Sequence, residues 1–156
     1  MKNLLLLSTL LLSLTLSAQW STNYYVDDFG DRTDKSYDSF MAEGTFSNSA
    51  TSGSEASYKF LHNKDDKTIT LKVLEYGRNL ATSTDSVFTI VKIKTPSGEI
   101  VKIKSVMFSK TGVLFFYKKS YDQLLKTMAI SGDHIMVFER KGSYSSDSYK
   151  LKFSID

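Results

Sequence analysis

The sequence predicts a mainly β protein: an antiparallel two-sheet sandwich, or an open barrel-like sheet, of about eight or nine strands with one short helix near 121–129. Three observations predict it. Segments after residue 55 alternate apolar and polar side chains, clusters of turn-forming residues separate them, and one window alone carries a helix-start signal.

From Trp20 to Asp38 the chain is rich in Asp, Ser, Thr and Tyr, with apolar material at Tyr24, Tyr25, Val26 and Phe29, so a short first strand and a long polar loop are expected. Phe40 to Phe46 reads as a second strand with Gly44 as a bulge. Tyr58 and Phe60 alternate with polar residues, Asn63 to Lys67 is a polar turn, and Ile69, Leu71 and Val73 alternate again, which makes a hairpin ending near Glu75-Tyr76-Gly77. Arg78 to Ser86 follows as a loop.

Val87 to Lys94 is apolar on both faces at first and then alternates, as in a strand central at one end and exposed at the other. Its partner holds Val101 and Ile103. A two-residue turn would place Ile93 and Val101 on opposite faces, whereas Pro96-Ser97-Gly98 as a three-residue loop aligns them, with Gly98 in the left-handed conformation. The apolar phase then shifts between Ile103 and Val106, which predicts a bulge near Lys104 or Ser105. Ser109 to Gly112 turns the chain into Val113 to Tyr117, whose apolar run suits a strand buried on both sides. The helix runs from Tyr121 to about Ala129, with Ser120 as N-cap, Gln123 completing a capping box, and Leu124, Leu125 and Met128 on its apolar side. Gly132 ends it. Strands at Ile135 to Glu139 and Tyr149 to Ile155 complete the sheet, joined by a polar tip at Ser143 to Ser148.

Residues 1–18 read as a signal peptide, with Lys2 near the start and an apolar run from Leu4 to Leu16. That run reaches only about 20 Å as a helix, short of the roughly 30 Å of a bilayer core. Cleavage is expected after Ala18, or after Ser17, and residues 19–156 form a single β-sandwich domain. No Cys is present for disulfides or lipid attachment, so burial alone must hold the fold. The missing Cys and the missing Asn-x-Ser/Thr sites favour a bacterial envelope over a eukaryotic secretory route, with a secreted or periplasmic product. Beyond the leader, nineteen basic side chains face seventeen acidic ones. This balance gives no reason to expect nucleic acid or a membrane as partner.

Lys92 and Lys94 project from one face of a strand, and Lys102 and Lys104 should share that face on its hairpin partner. Such clustering suits an anionic partner, though lysines also guard solvated sheet faces. Asp27, Asp28, Asp31, Asp34 and Asp38 crowd one segment without EF-hand spacing, so a solvated turn network is expected and no metal or other cofactor. His62 and His134 have no Cys to join them in a zinc site, and no Gly-x-Ser-x-Gly elbow accompanies the serines. Carboxylates for glycoside hydrolysis could come from Glu43, Glu55, Glu75 or Glu99, but nothing in their spacing pairs them. Tyr24, Tyr25 and Tyr144 are the aromatics most open to ligand recognition, because they flank loops and offer rigid apolar area with a polar edge.

Trp20, the stretch Asp28 to Asp34, Glu75-Tyr76-Gly77, Leu124-Leu125-Lys126 and the closing Tyr149-Lys150-Leu151-Lys152-Phe153 together resemble small exported β-sandwich proteins of unknown function common in Bacteroidetes. The leader resembles leaders of that group, and the element order more faintly resembles periplasmic accessory proteins associated with type VI secretion. The resemblance implies fold and compartment and carries over no functional residue. The expectation is a non-enzymatic binding or accessory module that contacts a protein through a sheet face or loops. A carbohydrate-binding module using exposed aromatics and the Lys face is the alternative, and a carboxylate-dependent hydrolase the third reading.

Overall fold

A computed structural model describes residues 20–79, 86–108, 113–141 and 146–155. The expected leader, Tyr144 and the expected turn at Ser109 to Gly112 lie outside the described residues. The described chain forms ten strands and one helix: β1 (Ser21–Val26), β2 (Arg32–Ser47), β3 (Ser54–Asn63), β4 (Thr68–Glu75), β5 (Arg78–Asn79), β6 (Ser86–Lys94), β7 (Ile100–Phe108), β8 (Val113–Tyr117), α1 (Lys119–Met128), β9 (Gly132–Lys141) and β10 (Ser146–Ile155).

All strand pairs are antiparallel. The sheet runs β2-β10-β9-β6-β7-β8-β4-β3 and returns to β2, so eight strands close a barrel where a sandwich would divide them between two sheets. The physical reason is β2. Its sixteen residues are long enough to pair with β3 along one edge while the other edge takes β10 from Glu43 to Ser47 and β1 from Arg32 to Ser39. The two ends of the eight-strand sheet are thereby joined. Gly44 makes the crossing possible without any bulge, since a Cβ there would come within 2.1 Å of the Lys150 carbonyl oxygen.

Alternation fills the interior. Phe40 and Phe46, Tyr58 and Phe60, Ile69 and Leu71, Val91 and Ile93, Ile103 and Met107, Leu114 and Phe116, Met136 and Phe138, and Leu151 and Phe153 all point inward. The loop at Pro96-Ser97-Gly98 is as expected, with Ile93 opposite Val101, Gly98 at φ 88° and its amide donating to the Thr95 carbonyl.

Four local expectations are corrected. The β6–β7 register is unbroken, so there is no bulge at Lys104 or Ser105. Ser105 keeps its inward place because its hydroxyl donates to the Phe115 carbonyl at 3.1 Å, and Val106 turns outward. The long polar loop is a hairpin arm of β1 and the start of β2, turned at Asp27, whose carboxylate accepts from the amides of Phe29 and Asp31. The helix begins at Lys119, because Lys118 at φ 49° turns the chain directly out of β8. Ser120 therefore sits inside the first turn and bonds back to both backbone groups of Tyr117, so the capping box does not form. Finally, β8 is half open on its outer side, where Phe115 is only partly covered.

One end of the barrel is closed by α1, which buries Tyr121, Leu124 and Met128. His134 Nε2 lies 3.1 Å from the Thr127 carbonyl and ties the helix terminus to β9. Beside it Trp20 meets Phe40 edge-on, and His62 Nε2 lies 3.0 Å from the Tyr121 hydroxyl. The Asp27–Asp38 carboxylates do not gather: Asp38 is buried on this side, bonded by Thr22 Oγ1 and paired with Lys64 at 2.6 Å.

Candidate functional site

The outer wall of β10, β9, β6 and β7 collects cations in register. Lys150 stands opposite Val137, Val137 opposite Lys92, and Lys92 opposite Lys102. In the next row Lys152 stands opposite Ile135, which stands opposite Lys94. Lys104 faces Ile90 on the same wall, its ammonium 4.1 Å above the Phe88 ring. All six lysines are exposed, and none forms an ion pair with a described residue. The four expected from sequence do share one face, and β10 adds two more. Glu43 and Glu139 share the wall, and Glu43 is engaged by the Ser57 hydroxyl at 3.0 Å.

A groove of 840 Å³ opens on this wall where β6 and β9 part company. Their ladder runs only from Lys92 opposite Val137 to Lys94 opposite Ile135, and above it the Thr89 hydroxyl donates to the Glu139 carbonyl at 3.1 Å. The apolar end of β6, expected to be central, is therefore its open end: Phe88 is 67% exposed and Ile90 48%. Lys92, Lys141 and Lys150 line the groove with them. Cations beside uncovered apolar side chains offer both long-range attraction and a place to bury an anchor.

Tyr24 and Tyr25 are not on this wall. The β1–β2 arm carries them to a second groove of 680 Å³, over the outer face of β3, β4 and β8. Arg32 caps the Tyr24 ring, its Cζ 3.3 Å from the centroid, while Tyr25 packs against Tyr37. The barrel order places this groove on the opposite side from the lysine wall.

Sequence reasoning missed a polar layer inside the barrel at the end away from α1. Arg140 pairs with Asp147 through Nε at 2.8 Å and lies 3.6 Å from Glu75, and the Tyr149 hydroxyl donates to Glu75 at 2.7 Å. Burial, and then the bond to Glu75, raise the Tyr149 phenol well above the usual tyrosine range, and burial does the same for Tyr58, whose hydroxyl donates to the Thr45 carbonyl. Glu75 and Asp147 are two carboxylates close together, as hydrolysis would require. One guanidinium engages both, however, which makes the group a structural lock. The signal was available: Glu75, Arg140 and Asp147 each continue the inward phase of their strands.

Among the described residues no three His, Cys, Asp or Glu side chains gather as a metal site would need, and no helix is long and apolar enough to cross a membrane. Compared with protein-family models, curated proteins and solved structures, the chain matches none.

Proposed function

We propose that the chain is an exported, non-enzymatic binding module that docks an acidic segment of a protein partner on the β10–β9–β6–β7 wall. The observation that carries this reading is the row of lysines in register, six cations against the two carboxylates of Glu43 and Glu139 and none in an ion pair with a described residue, beside a groove with exposed Phe88 and Ile90. Like charges opposite one another weaken a sheet. Lys92 and Lys102 accept that cost on a wall where an acidic partner would relieve it. Phe88 and Ile90 supply the apolar anchor that charge alone lacks. Export to a bacterial envelope or beyond rests on the Lys2 and Leu4 to Leu16 leader, together with a Cys-free mature chain.

Immobilised protein incubated with envelope extract of its own cells tests the docking. A specific partner should be retained at low salt, released as salt rises, and not retained by a Lys92→Glu, Lys102→Glu variant that melts like the parent. Retention indifferent to both salt and charge reversal would remove the reading. Amino-terminal sequencing tests export: the secreted or periplasmic form should begin at Gln19 or Ala18, and an uncleaved cytoplasmic chain would contradict it.

A further inference from the structure

The groove under the β1–β2 arm has a chemistry of its own. Its roof is aromatic, with the Tyr25 and Tyr37 rings 5.0 Å apart between centroids and tilted by 52°. Its floor presents the Thr68 and Thr70 side chains and the partly uncovered Phe115 ring. Lys59 and Lys72 stand directly opposite each other across the β3–β4 ladder on that floor, and neither forms an ion pair with a described residue. The carboxylate lining the same groove, Asp66, is held at its Asn63 edge: it accepts from the Asn63 amide at 2.8 Å, and its own amide donates back to Asn63 at 3.0 Å.

Rings set over hydroxyls suit a pyranose, whose C–H face packs on an aromatic side chain while its edge exchanges hydrogen bonds. Two facing ammonium groups, neither in an ion pair with a described residue and outnumbering the one carboxylate of the groove, suit a carboxylate. A neutral sugar would leave the lysines unmatched, and an acidic peptide would leave the roof and the hydroxyls with less to do. We propose that this groove binds a uronic-acid oligosaccharide, one ring packed against Tyr25 and Tyr37 and its carboxylate between Lys59 and Lys72. The 680 Å³ of the groove falls within the roughly 300–1,000 Å³ of small-molecule sites. The site shares no residue with the lysine wall, so it stands or falls separately from protein docking there.

Calorimetric titration of the purified protein tests it, with oligogalacturonate, oligomannuronate and hyaluronan oligosaccharides as probes, neutral galactan oligosaccharide and oligoglutamate as counterparts. At least one uronic-acid probe should bind saturably, and the counterparts about tenfold or more weakly. A Lys59→Gln, Lys72→Gln variant with an unchanged melting temperature should lose about tenfold in affinity for that probe, and Tyr37→Ala a comparable factor. Lys92→Gln with Lys102→Gln should leave its affinity unchanged. The proposal is overturned by any of three results: no saturable binding of the three acidic probes, equal binding of oligoglutamate, or loss of binding through Lys92 and Lys102 instead of Lys59 and Lys72.

Discussion

The two ends of the barrel are closed by different physics. At one, α1 presses Leu124 and Met128 into the interior and Trp20 closes over Phe40, so the seal is mainly apolar and depends on shape, with His62 and Asp38 buried beside it. At the other, Glu75, Arg140, Asp147 and Tyr149 fill the mouth with a charged network, and the seal depends on every member being present. An apolar plug that loses atoms leaves a void whose cost grows with its size. A charged plug that loses Arg140 leaves the largely buried Glu75 and Asp147 carboxylates without the cation that both engage. The charged end should therefore be the more brittle of the two.

The largest expected effect breaks that end. Arg140→Ala should destabilise the fold by about 4 kcal/mol in urea denaturation, and Arg140→Ala combined with Glu75→Gln and Asp147→Asn should recover part of the loss. Failure of the triple variant to exceed the single one would mean that the lock is ordinary packing. Next is the apolar end. Leu124 is fully buried, so Leu124→Ala should cost about 3 kcal/mol, without the rescue by charge removal that marks the other end. The smallest effect is a pH dependence at the helix end. Burial lowers the pKa of His62, and the nearby Asp38 only partly offsets this. Below the free imidazole value of about 6.5 the unfolded chain takes up a proton that the folded site refuses, so this contribution is complete above that pH and is lost as pH falls toward the lowered value. Stability from denaturation midpoints should decline modestly as pH falls from above to below about 6.5, and His62→Gln should show a smaller decline.

Period-two alternation made the strands legible, because a buried face writes every second residue the same way. It cannot distinguish a sandwich from a barrel. Closure resides in β2 meeting β10 and in β4 meeting β8, contacts between residues far apart in sequence whose alternation is identical in either architecture. A short loop could be read because Ile93 and Val101 constrain each other across a three-residue loop, whereas Ser105 misled because a hydroxyl in a core phase looks like a phase shift until its Phe115 partner is known. The same limit applies to the candidate sites. Lys92, Lys94, Lys102 and Lys104 belong to one hairpin, so their common face follows from local register. Lys150 and Lys152 join them only through β9, and Tyr25 meets Tyr37 only because an apparent loop is an arm folded back on the barrel.

The double pairing of β2 also orders events during synthesis. Its partner β3 is available at once across a short turn, while β10 emerges from the ribosome about a hundred residues later. Until then β2 and β9 each present an unsatisfied edge to whatever strand is nearby, in this molecule or another. A nascent chain of this topology therefore gains by having a holdase keep it unpaired until its final stave arrives, and a chain truncated before Ser146 should aggregate when it would otherwise fold.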